Sequence, residues 1–298
     1  MPQPNHDTLA AQLEATGQYR VLRRLEPRRR WHDPQGVDTR TAVVVDVETT
    51  GLDPDRDAVI QFCGIPFTYD PATGRVFDIG PPLTGYDDPG RPIPPLITRL
   101  TGITDADVAG QRLDEAAIIA LLEPAVLVIA HNAGFDRPFL DARLPAAFRN
   151  KHWACSVEGI PWDRYGFHSR RLEYLLYQRH QLFFNAHSAE TDCQAVLHTL
   201  AEPFDDGVVP MALLLQEARK RLHRIWAVGS PFEHKDLLKA RGYRFQRSGA
   251  GPASTWYRDM AKGTETEAEL EWLRETIYGG REGWTIEKLD PKLRYARR

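Results

Sequence analysis

The sequence predicts an α/β protein in which a mixed sheet is flanked by helices, followed by a small α+β unit. An apolar, β-branched run at 42–45 is typical of a strand buried on both faces. Strands come first along the chain, and helices then alternate with strands, which favours a mixed sheet. An acidic, turn-rich break at 202–207 precedes the final third. The predicted parts are an N-terminal extension (1–38), a main domain (39–204) and a C-terminal unit (205–298).

Composition indicates a soluble, cytoplasmic protein. Of 298 residues, 42% are hydrophobic and 27% are charged, which is ordinary for globular proteins. No run approaches the roughly 20 apolar residues that a membrane span needs, and the N-terminus lacks the pattern of a signal peptide. The three cysteines are widely spaced and form no C-x-x-C pair, so neither a zinc site nor a disulfide framework is indicated.

The extension is predicted to hold one short helix. Asp7 or Thr8 would cap it, with Leu9 and Leu13 on one side. The arginine-rich stretch that follows, 20–30, is either a phosphate-binding segment or a solvated strand edge that leads into the main domain.

The main domain is predicted to begin with strands. After the run at 42–45, segments 58–69 and 75–79 form a hairpin, and the proline-rich segment 80–95 forms a surface loop. Helix and strand then alternate, with a helix at 113–122, a strand at 125–130 and a helix at 137–144.

The C-terminal unit differs from the main domain in charge and in aromatic content. Residues 208–298 carry 18 Lys and Arg against 12 Asp and Glu, a net of +6, whereas residues 1–207 carry 20 against 29, a net of −9. The predicted elements are helices at 211–222, 234–242 and 267–280, and strands at 224–229, 243–249, 254–260 and 283–289.

Two carboxylates stand at the end of the first buried strand. Asp46 and Glu48 are two residues apart, so their side chains point to the same face of the strand. Like charges that close repel each other and are costly to desolvate. A bound cation would remove this conflict. The glycine of the turn that follows, Gly51, allows a ligand to approach the backbone closely.

Two further acidic residues are predicted to point toward the same sheet. Asp136 shares a helical face with Phe139 and Leu140, although it could instead be the N-cap of that helix. If that face packs on the sheet, Asp136 lies at the strand-end edge, where open α/β sheets bind ligands.

The last acidic residue lies near the start of a helix that begins after Ser188, the predicted N-cap. Asp192 follows the inward i, i+3, i+4 pattern with Ala195 and Val196. His187 stands five residues before Asp192, about 140° around an ideal helix, so we expect it in the loop ahead of the helix.

Together these segments resemble the DEDDh family of 3′→5′ exonucleases, which is related to the proofreading epsilon subunit of bacterial DNA polymerase III. The family motifs D-x-E-T-T-G, N-x-x-x-D and H-x-x-x-x-D correspond here to DVETTG at 46–51, NAGFD at 132–136 and HSAETD at 187–192. The segment RLTGITDADV at 99–108 is similar to a substrate-side loop of the family. The resemblance covers roughly 39–203.

The resemblance implies a ribonuclease H-like fold, a two-metal-ion site and release of nucleoside 5′-monophosphates from a free 3′ end. Asp46, Glu48, Asp136 and Asp192 would hold two Mg²⁺ or Mn²⁺ ions, hard cations that suit carboxylate oxygen. His187 would take the proton of the attacking water. The residues implied to line the nucleotide pocket are Thr49, Thr50, Gly51, Leu52, Asn132 and Phe135.

The implied partners are single-stranded or frayed 3′ ends of DNA, within a polymerase or repair complex. A second hypothesis is an exoribonuclease or oligoribonuclease-like enzyme, because contacts to the 2′-OH decide sugar preference. A third is a nucleic-acid-binding or polymerase-associated module, since aromatic residues interleaved with Arg and Lys can stack bases. The same aromatic residues could instead form the core of the C-terminal unit: Trp226, Tyr243, Phe245, Trp256, Tyr257 and Trp272.

Overall fold

The computed structural model describes residues 5–247, 251–261 and 263–297. Within these ranges, no helix is both long enough and apolar enough to cross a membrane. The strands are β1 (Arg23–Arg24), β2 (Arg40–Thr49), β3 (Val59–Tyr69), β4 (Val76–Ile79), β5 (Leu83–Tyr86), β6 (Ala125–Ala130), β7 (Trp153–Cys155), β8 (Leu182–Phe183), β9 (Leu222–Ala227), β10 (Arg244–Gln246), β11 (Thr255–Ala261) and β12 (Trp284–Lys288).

Helices separate most of the strands after β5. They are α1 (His6–Ala15), α2 (Pro95–Thr101), α3 (Asp105–Val108), α4 (Glu115–Leu122), α5 (Ala133–Arg143), α6 (Pro145–Phe148), α7 (Ser156–Gly159), α8 (Leu172–His180), α9 (Ala189–Ala201), α10 (Pro210–Arg219), α11 (Lys235–Ala240) and α12 (Thr264–Trp272). Short 3-10 turns occur at Trp162–Tyr165, Phe232–His234 and Pro291–Leu293, and a π-turn at Leu273–Ile277 extends α12.

The predicted mixed sheet is confirmed. Six strands form it in the order β4-β3-β2-β6-β7, and β5 pairs with β3 beside β4. The pairing of β2 with β3 is antiparallel, whereas β2–β6 and β6–β7 are parallel. A helix layer therefore covers each face, as buried parallel strands require.

Alternation along β2 divides the core into two layers. Ala42 and Val44 point toward α8, α9 and α10, while Val43, Val45 and Val47 point toward α4, α5 and α6. Because side chains alternate along a strand, Asp46 and Glu48 lie on the same face of β2 as Ala42 and Val44, which is the face that α9 covers.

Three features of the middle of the chain differ from the prediction. The proline-rich segment contains β5, whose hydrogen bonds to β3 are long-range and leave no local pattern. The predicted loop at 99–108 instead contains the end of α2 and all of α3, which are joined through Gly102 in the left-handed region (φ +75°). Helix α5 begins at Ala133, so Asp136 lies in its first turn and is not its N-cap.

The extension folds back onto the main domain. The side chain of Asn5, not of Asp7 or Thr8, caps α1, and Leu9 is exposed. β1 pairs with β8, and Leu25 is buried in the core on the α9 side. The arginine-rich stretch thus contains a strand edge that leads into the main domain, as one of the two alternatives predicted.

Helix α10 packs with the main domain. Met211, Leu214 and Leu215 belong to the core beneath α9, although we predicted this helix to open the C-terminal unit. The helix also ends earlier than predicted, at Arg219 and not at Leu222, because Leu222 is already the first residue of β9. The packed core thus continues past the predicted boundary at 204, to the end of α10.

The C-terminal unit is a four-stranded antiparallel sheet in the order β10-β11-β9-β12. The predicted strand 243–249 corresponds to β10, and its residues 248 and 249 lie outside the described ranges. Trp226 and Tyr243 are 2% and 3% exposed, and Trp256 and Trp272 pack against the same core. Most of these aromatic residues therefore serve as core, whereas Phe245 is exposed.

Candidate active site

Three carboxylates meet where β2 ends beside the start of α9. Oxygen atoms of Asp46, Glu48 and Asp192 all lie within 4.8 Å of one another. The first two share a face of β2, and α9 packs on that face, which brings Asp192 to them. Residues more than 140 positions apart in the sequence thus form one acidic cluster.

Asp136 approaches the cluster from the other face of the sheet. The residue is 3% exposed, and the nearby main-chain N–H group of Val47 favours the charged form of its carboxyl group. Among the described residues, it stands outside the 4.8 Å group. Its charge nevertheless raises the pKa of Asp46 and Glu48, so all four predicted carboxylates converge.

Burial and mutual repulsion hold these carboxyl groups partly protonated. Burial, followed by the charges of Asp192 and Asp136, raises the pKa of Glu48 to about 8. Burial likewise raises the pKa of Asp136 to about 7 and of Asp192 to about 6. The pKa of Asp46 is raised well above its ordinary value by burial and by the same neighbours. An all-oxygen set with this excess of negative charge fits hard divalent cations such as Mg²⁺ or Mn²⁺.

This repulsion predicts a stability change with pH that divalent ions reverse. Glu48 binds its proton more tightly in the folded chain, so without metal its contribution to stability falls as pH rises from about 4.5 to 8. We expect Glu48→Gln to melt roughly 2–4 °C above the wild type at pH 8 in chelator, and less above it at pH 6.

Differential scanning calorimetry with and without Mn²⁺ measures this difference. The buried histidines are present in both proteins, so their contribution cancels when the wild type is compared with Glu48→Gln. Because their pKa values are lowered, they would by themselves make stability rise with pH. Mn²⁺ should raise the melting temperature of the wild type more than that of the variant. Equal melting curves at pH 8 in chelator would contradict the raised pKa of Glu48.

His187 lies in the loop ahead of α9, as predicted. It is exposed and adopts a positive φ of 65°, a conformation that histidine tolerates better than most residues. The main-chain N–H groups of His187 and Ser188 donate to the Asp192 carboxylate, the latter at 3.1 Å. The Ser188 side chain forms no capping bond, and the Asp192 carboxylate instead holds the main chain just ahead of the helix.

Gln61 is a residue that the sequence pattern did not reveal. It lies opposite Glu48 on β3, and its Oε1 accepts the N–H of Ala189 at 3.1 Å. Ala189 is fully buried at the first position of α9, so its N–H would otherwise lack a partner. The side chain thereby ties the helix that carries Asp192 to the strand beside Glu48.

Replacing Gln61 with methionine should loosen this tie. The variant keeps the volume of the side chain and removes the acceptor, which leaves a buried N–H unpaired at about 1–3 kcal/mol. We expect a lower urea midpoint and weaker Mn²⁺ binding by calorimetry. Gln111→Met, at an exposed position, is the control. Unchanged Mn²⁺ affinity in Gln61→Met would show that the helix holds its place without this bond.

The turn after β2 is held by side-chain contacts from within the domain. Thr49 Oγ1 donates to the Gly51 carbonyl at 2.6 Å, and Thr50 Oγ1 accepts from Ala58 N at 3.0 Å and from Arg91 at 3.0 Å. A Cβ at position 51 would lie 2.4 Å from the Asp57 carboxylate, so only glycine fits. Both threonine hydroxyls are thus used inside the turn.

The remaining residues predicted for the nucleotide pocket are accessible to different extents. Leu52 is 83% exposed, and Asn132 is also exposed, at the N-cap of α5. Phe135 is half-buried and contacts Phe139 with a ring separation of 5.1 Å.

Two further titratable residues near the site differ in their roles. His131 Nε2 must donate to the Arg170 carbonyl at 2.7 Å, so its Nδ1 accepts from Ser156 Oγ at 2.8 Å. Burial lowers the pKa of His131 to about 4, which makes it a neutral structural residue. Glu173 on α8 is a fifth acidic residue, and its charge helps to raise the pKa of Asp192.

Comparison with known families agrees with this geometry. Residues 43–200, more than half of the chain, match the family model RNase_T, described as Exonuclease. The chain belongs to this exonuclease family. The resemblance to a family of exonucleases is therefore confirmed.

Curated relatives of this exonuclease include the PolC-type DNA polymerase III of Listeria welshimeri, 27% identical over 168 residues, or 55% of this chain and 11% of the relative. The PolC-type polymerase of Thermotoga petrophila is 32% identical over 130 residues, or 43% of this chain and 8% of the relative. The exonuclease thus spans about a tenth of the length of these relatives.

Solved structures similar to the exonuclease include Escherichia coli exonuclease I in complex with a dA16 oligonucleotide, at 19% identity and a TM-score of 0.46 over 74% of this chain and 63% of that one. Another is exonuclease X in complex with 5′ overhanging duplex DNA, at 18% identity and a TM-score of 0.36 over 57% of this chain and 99% of that one.

Proposed function

We propose that the protein is a two-metal-ion 3′→5′ exonuclease that acts on single-stranded or frayed 3′ ends of DNA and releases nucleoside 5′-monophosphates. The observation that carries the proposal is the convergence of Asp46, Glu48 and Asp192 within 4.8 Å, with Asp136 beside them. The kinship with DNA polymerase III of the PolC type supports DNA as the substrate and a polymerase or repair complex as the setting.

Each residue would have a distinct task. Asp46, Glu48, Asp136 and Asp192 would hold the divalent ions, which supply Lewis-acid stabilisation of the attacking and leaving oxygens. His187 is exposed beside Asp192, so its imidazole can reach solvent and accept the proton of the attacking water.

The terminal nucleotide would lie against the turn after β2. Leu52 offers an exposed apolar surface, and Phe135 and Asn132 stand next to Asp136 on α5. Thr49, Thr50 and Gly51 would contribute main-chain groups and shape, because their hydroxyls and Cα surface are engaged within the turn.

Matched digestion tests the polarity and the sugar preference. Single strands of DNA and RNA with one sequence, labelled at either end, are incubated with the protein and Mn²⁺. Shortening from the 3′ end with release of 5′-monophosphates supports the proposal, and faster loss of DNA than of RNA supports the substrate. Faster loss of RNA would favour the exoribonuclease alternative.

A further inference from the structure

A groove of about 750 Å³ runs between the C-terminal sheet and the main domain. One wall is formed by Leu52, Phe135 and Pro138 from the main domain. The opposite wall includes Arg244 and Tyr257, which lie on β10 and β11. The groove thus joins the two parts of the chain along their contact.

The groove wall includes residues that are direct sequence neighbours of the acidic site. Leu52 directly follows Gly51 in the turn after β2, and Phe135 directly precedes Asp136 on α5. A strand whose 3′ end reaches the carboxylates would therefore leave along this groove.

The charge of the groove is opposite to that of the cluster. Its basic lining residues are Lys220, Arg224, Arg244, Arg258, Arg294 and Arg297. Its acidic lining residues number four: Glu158, Glu217, Asp259 and Glu265. A net positive groove therefore continues from a site rich in carboxylates, which suits a phosphate backbone outside the site.

Two of these basic groups form exposed ion pairs in which a phosphate can replace the carboxylate. Arg244 contacts Glu158 at 2.9 Å, with side chains 66% and 43% exposed. Lys220 contacts Glu217 at 2.5 Å and is 51% exposed. Exposed pairs contribute roughly 0–1 kcal/mol, so exchanging a carboxylate for a phosphate costs little.

The walls of the groove are tied together by the end of the chain. Arg297 Nη2 lies 2.8 Å from Asp55 in the turn region of the main domain, and Arg137 donates to the Arg294 carbonyl. Arg294 in turn donates to the Lys220 carbonyl at 2.7 Å. The end of the chain thus links both walls of the groove.

We propose that this groove binds the phosphodiester backbone of the single strand whose 3′ end lies at the acidic cluster. The proposal rests on the exonuclease function above and gives the C-terminal unit a role in it. Lys220 and Arg244 contact phosphates of nucleotides upstream of the terminal one. Affinity and turnover consequently depend on strand length.

The double variant Lys220→Gln/Arg244→Gln tests this. Fluorescence anisotropy without divalent ions measures binding of a strand of about twenty nucleotides, longer than common site sizes of about 4–16. We expect about tenfold weaker binding at low salt and a salt slope smaller by about 1.4, at about 0.7 for each phosphate contact. With Mn²⁺, the ratio of kcat/KM for this strand to that for a dinucleotide should also fall about tenfold.

The control is Arg23→Gln/Arg40→Gln, which removes two exposed, singly paired arginines outside the groove lining. It should match the wild type in affinity and in the kcat/KM ratio. An unchanged ratio and salt slope in the groove variant would overturn the proposal. So would a wild type with no preference for the longer strand. If the wild type cleaves neither substrate, the exonuclease proposal fails, while the anisotropy result still decides the groove.

Discussion

Replacing Asp46 with asparagine should abolish nuclease activity while making the metal-free protein more stable. The variant loses a proposed metal ligand, and metal stabilisation of the reaction amounts to several kcal/mol, or about 10³-fold in kcat/KM. It also removes a half-buried carboxyl group whose pKa is raised by desolvation and by the charges of Asp136, Asp192 and Glu48. The free energy of unfolding at pH 8 in chelator should therefore rise.

Two measurements on one preparation check this result. A 3′-labelled single strand with Mn²⁺ reports activity, and urea denaturation in chelator reports stability. Asp38→Asn, at a position with a 79% exposed side chain, should change neither. Undiminished activity of Asp46→Asn would exclude the proposed metal site, and lost activity with reduced stability would indicate misfolding instead.

Replacing His187 with asparagine should lower kcat by roughly 10²–10⁴-fold, the usual contribution of a general base. Asparagine is chosen because it tolerates the positive φ of this position better than alanine does. Mn²⁺ affinity should persist, because the main-chain N–H groups that hold Asp192 remain.

Single-turnover kinetics and calorimetric Mn²⁺ titration separate the two effects. His6→Asn, at an exposed position on α1, is the matched control. Loss of Mn²⁺ binding in His187→Asn would show that the imidazole helps to hold the ion. Full activity of the variant would remove His187 from the mechanism.

The local hydrophobic pattern was enough to predict the elements whose buried residues follow a regular strand or helix period. The strand predicted at 125–130 matches β6 residue for residue. The inward face of α9 was also predicted correctly, since Ala195 and Val196 are both buried. Strand alternation and helical spacing indicated the face on which each carboxylate lies, and the family resemblance indicated that the four belong to one site.

Contacts that depend on distant pairing could not be predicted in this way. Arg91 reaches Thr50 across 41 positions, and Gln61 reaches Ala189 across 128. Neither residue belongs to a periodic pattern, and the local sequence around each gives no indication of its distant partner. The N-cap of α1 was missed because three neighbouring residues can all cap a helix, and only the fold selects Asn5.

The acidic cluster takes its residues from both faces of the sheet, and this determines the stage of folding at which the site can form. Asp192 arrives with the helices on one side of β2, whereas Asp136 arrives with those on the other. A partly folded chain with only one helix layer in place would lack part of the ligand set. The complete ligand set, and with it the proposed nuclease activity, should therefore form only after both helix layers have packed.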